Sequence, residues 1–263
     1  MQISVLGCGW LGLPLAKMLI AQGYAVKGST TSPDKVSVLT DAGITPYIID
    51  LNSPHAESVT PFLEGSEILI INIPPGRKTA TVPYREKMQF LLPHIIRANI
   101  KKVLFVSSTS VYADAFPFPV ITESTPTVSE SSNELLEAEQ VFVSSDDLKT
   151  TIVRFSGLIG AGRHPVHHLS GRKDIANPDA PVNLIDLSPA CLMISRIIER
   201  EAWGQVFLGA DVNHPTRKDY YTGMAKNLGL ALPEFSNETP STGKIISSEK
   251  AGPVLGISIS GTI

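Results

Sequence analysis

The chain has 263 residues, 43% hydrophobic and 18% charged, which is too long for a minimal domain and enough apolar material for a large α/β core. A formal net charge of −3 supplies no basic excess to neutralise phosphates, so nucleic acid and acidic membrane surfaces are excluded as expected partners. Two cysteines, Cys8 and Cys191, make no disulfide framework, no run approaches the roughly eighteen apolar residues of a membrane span, and no charged segment precedes an apolar leader, so a cytoplasmic protein is expected.

An apolar run, residues 3–6, opens the chain and ends in Gly7-Cys8-Gly9-Trp10-Leu11-Gly12, after which an amphipathic stretch continues to Gln22 and stops at Gly23. Strand, glycine turn and helix are the context in which G-x-G-x-x-G signifies a dinucleotide phosphate site. Gly7 permits the sharp turn, Gly9 lets the backbone approach a pyrophosphate, and Gly12 lets the helix pack closely on the strand. The free N–H groups of that helix, Trp10 and Leu11 at its start, meet the phosphate charge. Cys8, inside the turn, reads as a small packing residue.

Residues 24–27 read as a second strand, running into Gly28-Ser29-Thr30-Thr31-Ser32. Ser32 followed by Pro33 predicts a capped helix reaching about residue 42. Residues 45–49 form a third strand ending in Asp50-Leu51. Residues 67–72 form a fourth, nearly continuous in apolar residues as a strand buried on both faces should be, and lead through Asn72-Ile73-Pro74 to Gly76. A helix of about a dozen residues from Tyr84 carries the chain to a fifth strand, 103–106, ending in Ser107-Ser108-Thr109. Residues 123–130 read as a loop, 134–143 as a helix and 151–155 as a sixth strand, followed by a glycine-rich loop over 157–163. Beyond it lie a polar stretch (164–181), a helix (187–199), a short strand (206–208) and another helix (216–228). Strands alternating with helical periods predict a Rossmann-type doubly wound parallel sheet with a small carboxyl-terminal substrate lobe, divided into a dinucleotide-binding domain at 1–156 and, at 157–263, mainly the lobe.

By Ser108 the accumulated motifs resemble the extended branch of the short-chain dehydrogenase/reductase superfamily, the nucleoside-diphosphate-sugar epimerases and dehydratases. The resemblance is carried by the glycine turn, Asp50-Leu51, Ser107-Ser108-Thr109-Ser110-Val111-Tyr112-Ala113, Val153-Arg154 with 157–163, and Pro181-Val182-Asn183-Leu184-Ile185-Asp186. It implies that Asp50 accepts from the adenine amino group with the Leu51 backbone nearby, and that Asn72, Ile73 and Pro74 pass the cofactor ribose. It also implies that Ser108 hydrogen-bonds the reacting oxygen of a sugar-nucleotide-like substrate. Tyr112 reads as packing. Lys244 and Leu255-Gly256 resemble late landmarks of the same family.

Two departures from the family pattern carry information. The acid that pairs with the ribose hydroxyls of NAD is missing, and Ser29, Thr30, Thr31 and Ser32 stand there with Lys35 close by. Hydroxyls and a lysine tolerate a 2′-phosphate, so NADP is expected over NAD, with Thr30 and Thr31 at the adenosine ribose. The Tyr-x-x-x-Lys pair of the family is also missing: Ser131 and Leu135 occupy its positions, and none of the six tyrosines has a lysine four residues on. The chain therefore reads as an NAD(P)-binding epimerase/dehydratase-like protein, monomer or homodimer, or as a non-catalytic dinucleotide sensor on the same fold. The opening also resembles β-hydroxyacid dehydrogenases, but the helical second domain those require has no counterpart after Gly160. His164, His167 and His168 lack metal-ligand spacing, and no metal site is expected. Arg163 and Arg172 suit a diphosphate or are solvated surface charge. Asp186 reads most simply as the cap of the helix that follows it, with a role at the substrate site as the alternative.

Overall fold

The computed structural model describes residues 1–52, 57, 59–76, 82–130, 133–160, 162–261 and 263. In chain order their elements are β1 (Gln2–Leu6), α1 (Gly12–Ala21), β2 (Ala25–Thr30), α2 (Val36–Asp41), β3 (Thr45–Ile48), α3 (Val59–Leu63), β4 (Ile68–Ile71), α4 (Tyr84–Arg97), β5 (Lys102–Ser108) and β6 (Val120–Ile121). There follow α5 (Glu134–Val143), β7 (Lys149–Phe155), β8 (Gly157–Ile159), α6 (Val166–Leu169), β9 (Leu184–Asp186), α7 (Leu187–Glu199), β10 (Val206–Gly209), α8 (Arg217–Asn227), β11 (Ile245–Ile246) and α9 (Ala251–Leu255).

The central sheet has the order β10-β7-β5-β4-β1-β2-β3, with parallel pairing from β5 through to β3. This is the expected Rossmann-type α/β fold. The chain runs outward from β1 to β3 and then returns to lay β4 on the other side of β1. Right-handed crossovers require the connecting helices to change face at that reversal. Accordingly α3, α4 and α5 share one face, where Val59, Phe62, Leu63, Tyr84, Met88, Leu91, Ile95, Ala138 and Phe142 pack on Leu6, Leu69, Ile71, Val103 and Phe105. β4 is buried along its whole length, as a strand covered on both faces must be. In register, Leu6 lies beside Ile71 and Ile71 beside Phe105, so β1, β4 and β5 deliver their next residues to one edge of the sheet.

The chain condenses into two compact units that alternate along the sequence. The first comprises Met1–Ser108, Ser129–Arg154 and Cys191–Val206; the second comprises Thr109–Val128, Phe155–Ala190 and Phe207–Ile263. Within the first, the buried Arg154 guanidinium grips Glu139 of α5 with two hydrogen bonds, Nε to Oε1 at 3.1 Å and Nη2 to Oε2 at 2.6 Å. Within the second, β8 pairs with β9 and β6 with β11, both parallel. Asn183 locks that arrangement: its amide donates to the Lys244 carbonyl at 2.8 Å and its Oδ1 accepts from Ile246 N–H at 2.9 Å. Lys244 in turn donates to the Tyr112 carbonyl at 2.6 Å and pairs with Asp114.

Several local expectations are adjusted. β2 extends to Thr30, and a 3-10 turn over Pro33–Lys35 precedes α2. The Ser32 side chain makes no capping bond; instead Thr30 Oγ1 accepts from Ser32 N–H at 3.1 Å, a hydroxyl turn that uses the strand's last residue. The glycine-rich stretch after β7 is partly strand, because β9 offers β8 a parallel partner that lies too far along the chain for local pattern to reveal. Asp186 caps as read, its Oδ1 accepting from Ser188 N–H at 3.0 Å.

Candidate functional site

The site grows from the reversal between β1 and β4. Gly7 leaves β1 at a φ of +101°, a conformation that side-chain-bearing residues rarely adopt. Its N–H donates to Ser29 Oγ at 2.9 Å, and its carbonyl accepts from Asn72 Nδ2 at 3.1 Å. Cys8 N–H donates to the Ser29 carbonyl at 2.8 Å. A Cβ on Gly7 would lie 2.6 Å from the Asn72 carbonyl oxygen, and one on Gly12 would lie 2.1 Å from the Gly7 carbonyl oxygen. Both glycines are therefore demanded by close backbone approach. A Cβ on Gly9 would meet nothing within 4 Å. That open space above the turn is what a pyrophosphate needs. The first turn of α1 carries no side-chain cap and no acidic residue, so its unsatisfied N–H groups have no competing anion.

A cleft of about 340 Å³ opens there, entirely within the first unit. Gly7, Gly9, Thr30, Thr31, Asp50, Leu51, Asn72, Ile73 and Pro74 line it, so strand exits far apart in sequence converge on one hollow. Trp10, Leu11 and Gly12 are not part of its lining: Leu11 and Gly12 are buried and Trp10 is half-buried at the start of α1. The lip after β2 carries Ser29, Thr30, Thr31 and the exposed Lys35 and has no carboxylate. The lip after β3 carries Asp50, whose Oδ1 accepts from the backbone and side-chain N–H of Asn52 at 2.9 and 2.8 Å, fixing the carboxylate's orientation. Cys8 also lines the cleft, and burial pushes its thiol up to about 12, so it is an inert packing group at neutral pH. The lining residues the sequence reading passed over are Leu6, Ile49, Asn52, Gly76 and Lys87. Of these, Lys87 left a signal: it interrupts the apolar stripe Tyr84, Met88, Leu91, Ile95 at helical spacing.

Ser108 closes β5, half-buried, at the same sheet edge as Gly7 and Asn72. Its neighbour Ser107 is buried, with an Oγ that has no hydrogen-bond partner. On α5, Leu135 packs against the core at the position of the family's lysine, while Ser131 lies outside the described residues. Tyr112 is buried at 2% exposure, a packing residue.

The second unit holds a separate hollow of about 220 Å³ that includes Arg163, His164, Asp186 and Tyr220. Val166 N–H donates to His164 Nδ1 at 3.1 Å, which leaves the ring proton on Nε2, 3.0 Å from Tyr220 Oη. Burial holds the His164 pKa below its usual value, and burial, with Tyr221 and Asp211 nearby, pushes the Tyr220 phenol up to about 12. The pair is neutral around pH 7. Among the described residues, no group of three or more His, Cys, Asp or Glu side chains is placed to hold a metal ion, and no helix is long and apolar enough to cross a membrane.

Open glycine cradle, helix N-terminus and strand-exit lips together fit a dinucleotide, and the chain belongs to the NAD(P)H-binding family, which matches residues 7–185. The chain is 31% identical to protein YeeZ of Escherichia coli strain K12 over 262 residues, 97% of this chain and 94% of that protein. Two of the solved structures that share its fold illustrate the likeness. UDP-glucuronic acid 4-epimerase from Bacillus cereus in complex with NAD matches with a TM-score of 0.81 at 16% identity, over 100% of this chain and 92% of that one. MoeE5 in complex with UDP-glucose and NAD matches with a TM-score of 0.79 at 18% identity, over 100% and 95%.

Proposed function

We propose that the protein binds NADP(H) in preference to NAD(H) in the first-unit cleft and acts as an epimerase/dehydratase-like oxidoreductase on a small, polar, nucleotide-sugar-like substrate. The observation that carries the cofactor reading is the lip after β2, where Ser29, Thr30, Thr31 and Lys35 line the cleft with no carboxylate among them. A carboxylate there would repel a 2′-phosphate, whereas hydroxyls and an ammonium accept it. Gly7 and Gly9 with the start of α1 hold the pyrophosphate, Thr30 and Thr31 the adenosine ribose, and Asp50 with Leu51 the adenine. When bound, the nicotinamide supplies reversible hydride transfer. Ser108 donates a hydrogen bond to the reacting oxygen. The substrate class draws support from fold neighbours solved with UDP-glucose and with UDP-glucuronic acid.

A second reading, a non-catalytic dinucleotide sensor, is favoured by Leu135. An apolar residue packed on the core stands where a lysine would lower the pKa of a catalytic tyrosine. Calorimetric titration with NADPH and NADH, on wild type and on Gly9→Glu, separates the possibilities. Tighter NADPH than NADH binding, abolished by Gly9→Glu and narrowed by Lys35→Glu, supports the cofactor reading; no binding of either overturns it. Given binding, hydride exchange across a panel of aldehydes and nucleotide sugars supports the enzyme, and silence across that panel supports the sensor.

A further inference from the structure

Lys87 is the charged residue in the core stripe of α4. It is 6% exposed, one residue before the fully buried Met88 and one helical turn after Tyr84. No hydrogen bond or ion pair engages its ammonium among the described residues. Yet Nζ is not one of the polar atoms sealed from solvent, and Lys87 lines the cleft. The stem is therefore buried and the head reaches the hollow. Buried cations in proteins are paired, because desolvation without a partner is costly. Here the cleft is the place from which a partner can come.

Topology says which part of the cleft. Tyr84, on the same stripe, donates its hydroxyl to the Ile73 carbonyl at 2.7 Å, pinning the first turn of α4 to the exit of β4. Tyr84 and Met88 share their core cluster with Ile49, and Leu51 and Ile73 pack against it. Lys87 thus enters from the face of α3, α4 and α5, beside the exits of β3 and β4. The lip with Thr30, Thr31 and Lys35 instead leads to α2, on the opposite face by the crossover rule.

We propose that Lys87 is a specificity-determining binding residue for the adenine base of the dinucleotide, donating to a ring nitrogen while Asp50 accepts from the neighbouring amino group. This rests on the reading that the cleft binds a dinucleotide with its adenine at Asp50. The adenine edge sets an N–H donor beside unprotonated ring nitrogens, and a carboxylate paired with an ammonium is complementary to it. The 2′-phosphate and the pyrophosphate have their own donors, on the β2 lip and at the glycine turn.

The test uses Lys87→Met, which keeps the length and apolar stem, and Lys87→Arg, which keeps a donor and the charge. Binding of NADPH and NADH is followed by calorimetry, and displacement of NADPH by ADP and by inorganic pyrophosphate by fluorescence. The expected result is that Lys87→Met weakens NADPH, NADH and ADP by the same factor, about tenfold for one charge-assisted hydrogen bond. The affinity for pyrophosphate, corrected for the weaker NADPH, is unchanged, Lys87→Arg recovers part of the loss, and the melting temperature of free Lys87→Met is not lowered. Loss confined to NADPH would assign Lys87 to the 2′-phosphate, and equal loss for ADP and pyrophosphate would assign it to the phosphates; either overturns the proposal. So does unaltered binding, or a fall in melting temperature that accounts for the loss. Failure of the wild-type protein to bind any dinucleotide overturns the underlying cofactor reading as well, and is distinct from failure of the variant alone.

Discussion

The side-chain amide of Asn72 donates to the carbonyl of Gly7 at 3.1 Å, across 65 residues of chain. Ser29 Oγ accepts from the N–H of the same glycine at 2.9 Å. The turn that begins the cleft is thus fastened on both polar groups of one residue, by a side chain of β2 and by one just beyond β4, the two strands that flank β1. Both fastening residues line the cleft, and a Cβ on Gly9 would meet nothing within 4 Å, so the turn they hold stays open above Gly9.

Asn72→Ala removes one fastening and leaves the Gly7 carbonyl without its partner. The expected cost is about 0.5–1.5 kcal/mol of stability and up to about tenfold in dinucleotide affinity. Asn72→Asp is worse, since it turns an acceptor toward an acceptor. Urea denaturation and calorimetric titration of the two variants check the order.

Gly9 and Gly12 are expected to fail differently. Gly12→Ala forces a methyl to within 2.1 Å of backbone and destabilises by about 1–3 kcal/mol as helix and turn separate. Gly9→Glu has room at its Cβ, so it folds with a melting temperature near that of wild type while its carboxylate occupies the pyrophosphate position and abolishes binding. Thermal melts beside titrations distinguish the architectural glycine from the ligand-facing one.

Arg154 and Glu139 are both nearly buried, with side-chain exposures of 9% and 6%. Removing one partner strands a desolvated charge, so Glu139→Leu or Arg154→Met alone is expected to cost about 3–5 kcal/mol. The double substitution costs less than the sum of the two, because neither charge remains to be stranded. Chemical denaturation of the single and double variants reads this coupling.

His164 gives the protein a pH dependence of defined sign. Burial chiefly, and the nearby His167 in addition, hold its pKa below the ordinary 6.5. The unfolded chain therefore takes up this proton first as pH falls. The stabilisation is complete above the unfolded value and is lost as pH drops from 6.5 through the folded value. Between about pH 7.5 and about pH 5.5 the melting temperature of wild type is expected to fall further than that of His164→Asn, whose Oδ1 still accepts from Val166 N–H.

What the sequence by itself determined is local. The glycine turn, the strands that precede Asp50, Asn72 and Ser108, and the helix from Glu134 to Val143 are written in short-range pattern: glycine spacing, apolar runs and helical period. The missing Tyr-x-x-x-Lys pair was legible for the same reason, being a matter of residue identity at fixed spacing. Short elements such as α3, β8 and β11 were not legible, because a few residues carry no period and their strand partners lie far along the chain. Tertiary structure alone decided how the site is assembled. That Ser29 and Asn72 hold Gly7, that Asn52 aims Asp50, and that Asn183 ties down Lys244 depend on which strand exits the reversal between β1 and β4, or the lobe's own pairings, bring together. Lys87 is the clearest case. In sequence it is one polar residue on a helix, and only the packing of α4 over the exits of β3 and β4 makes it a buried cation facing the cleft. Side-chain partners are chosen by chain crossings in space, where desolvation makes an unpaired group costly, and no window of sequence contains those crossings.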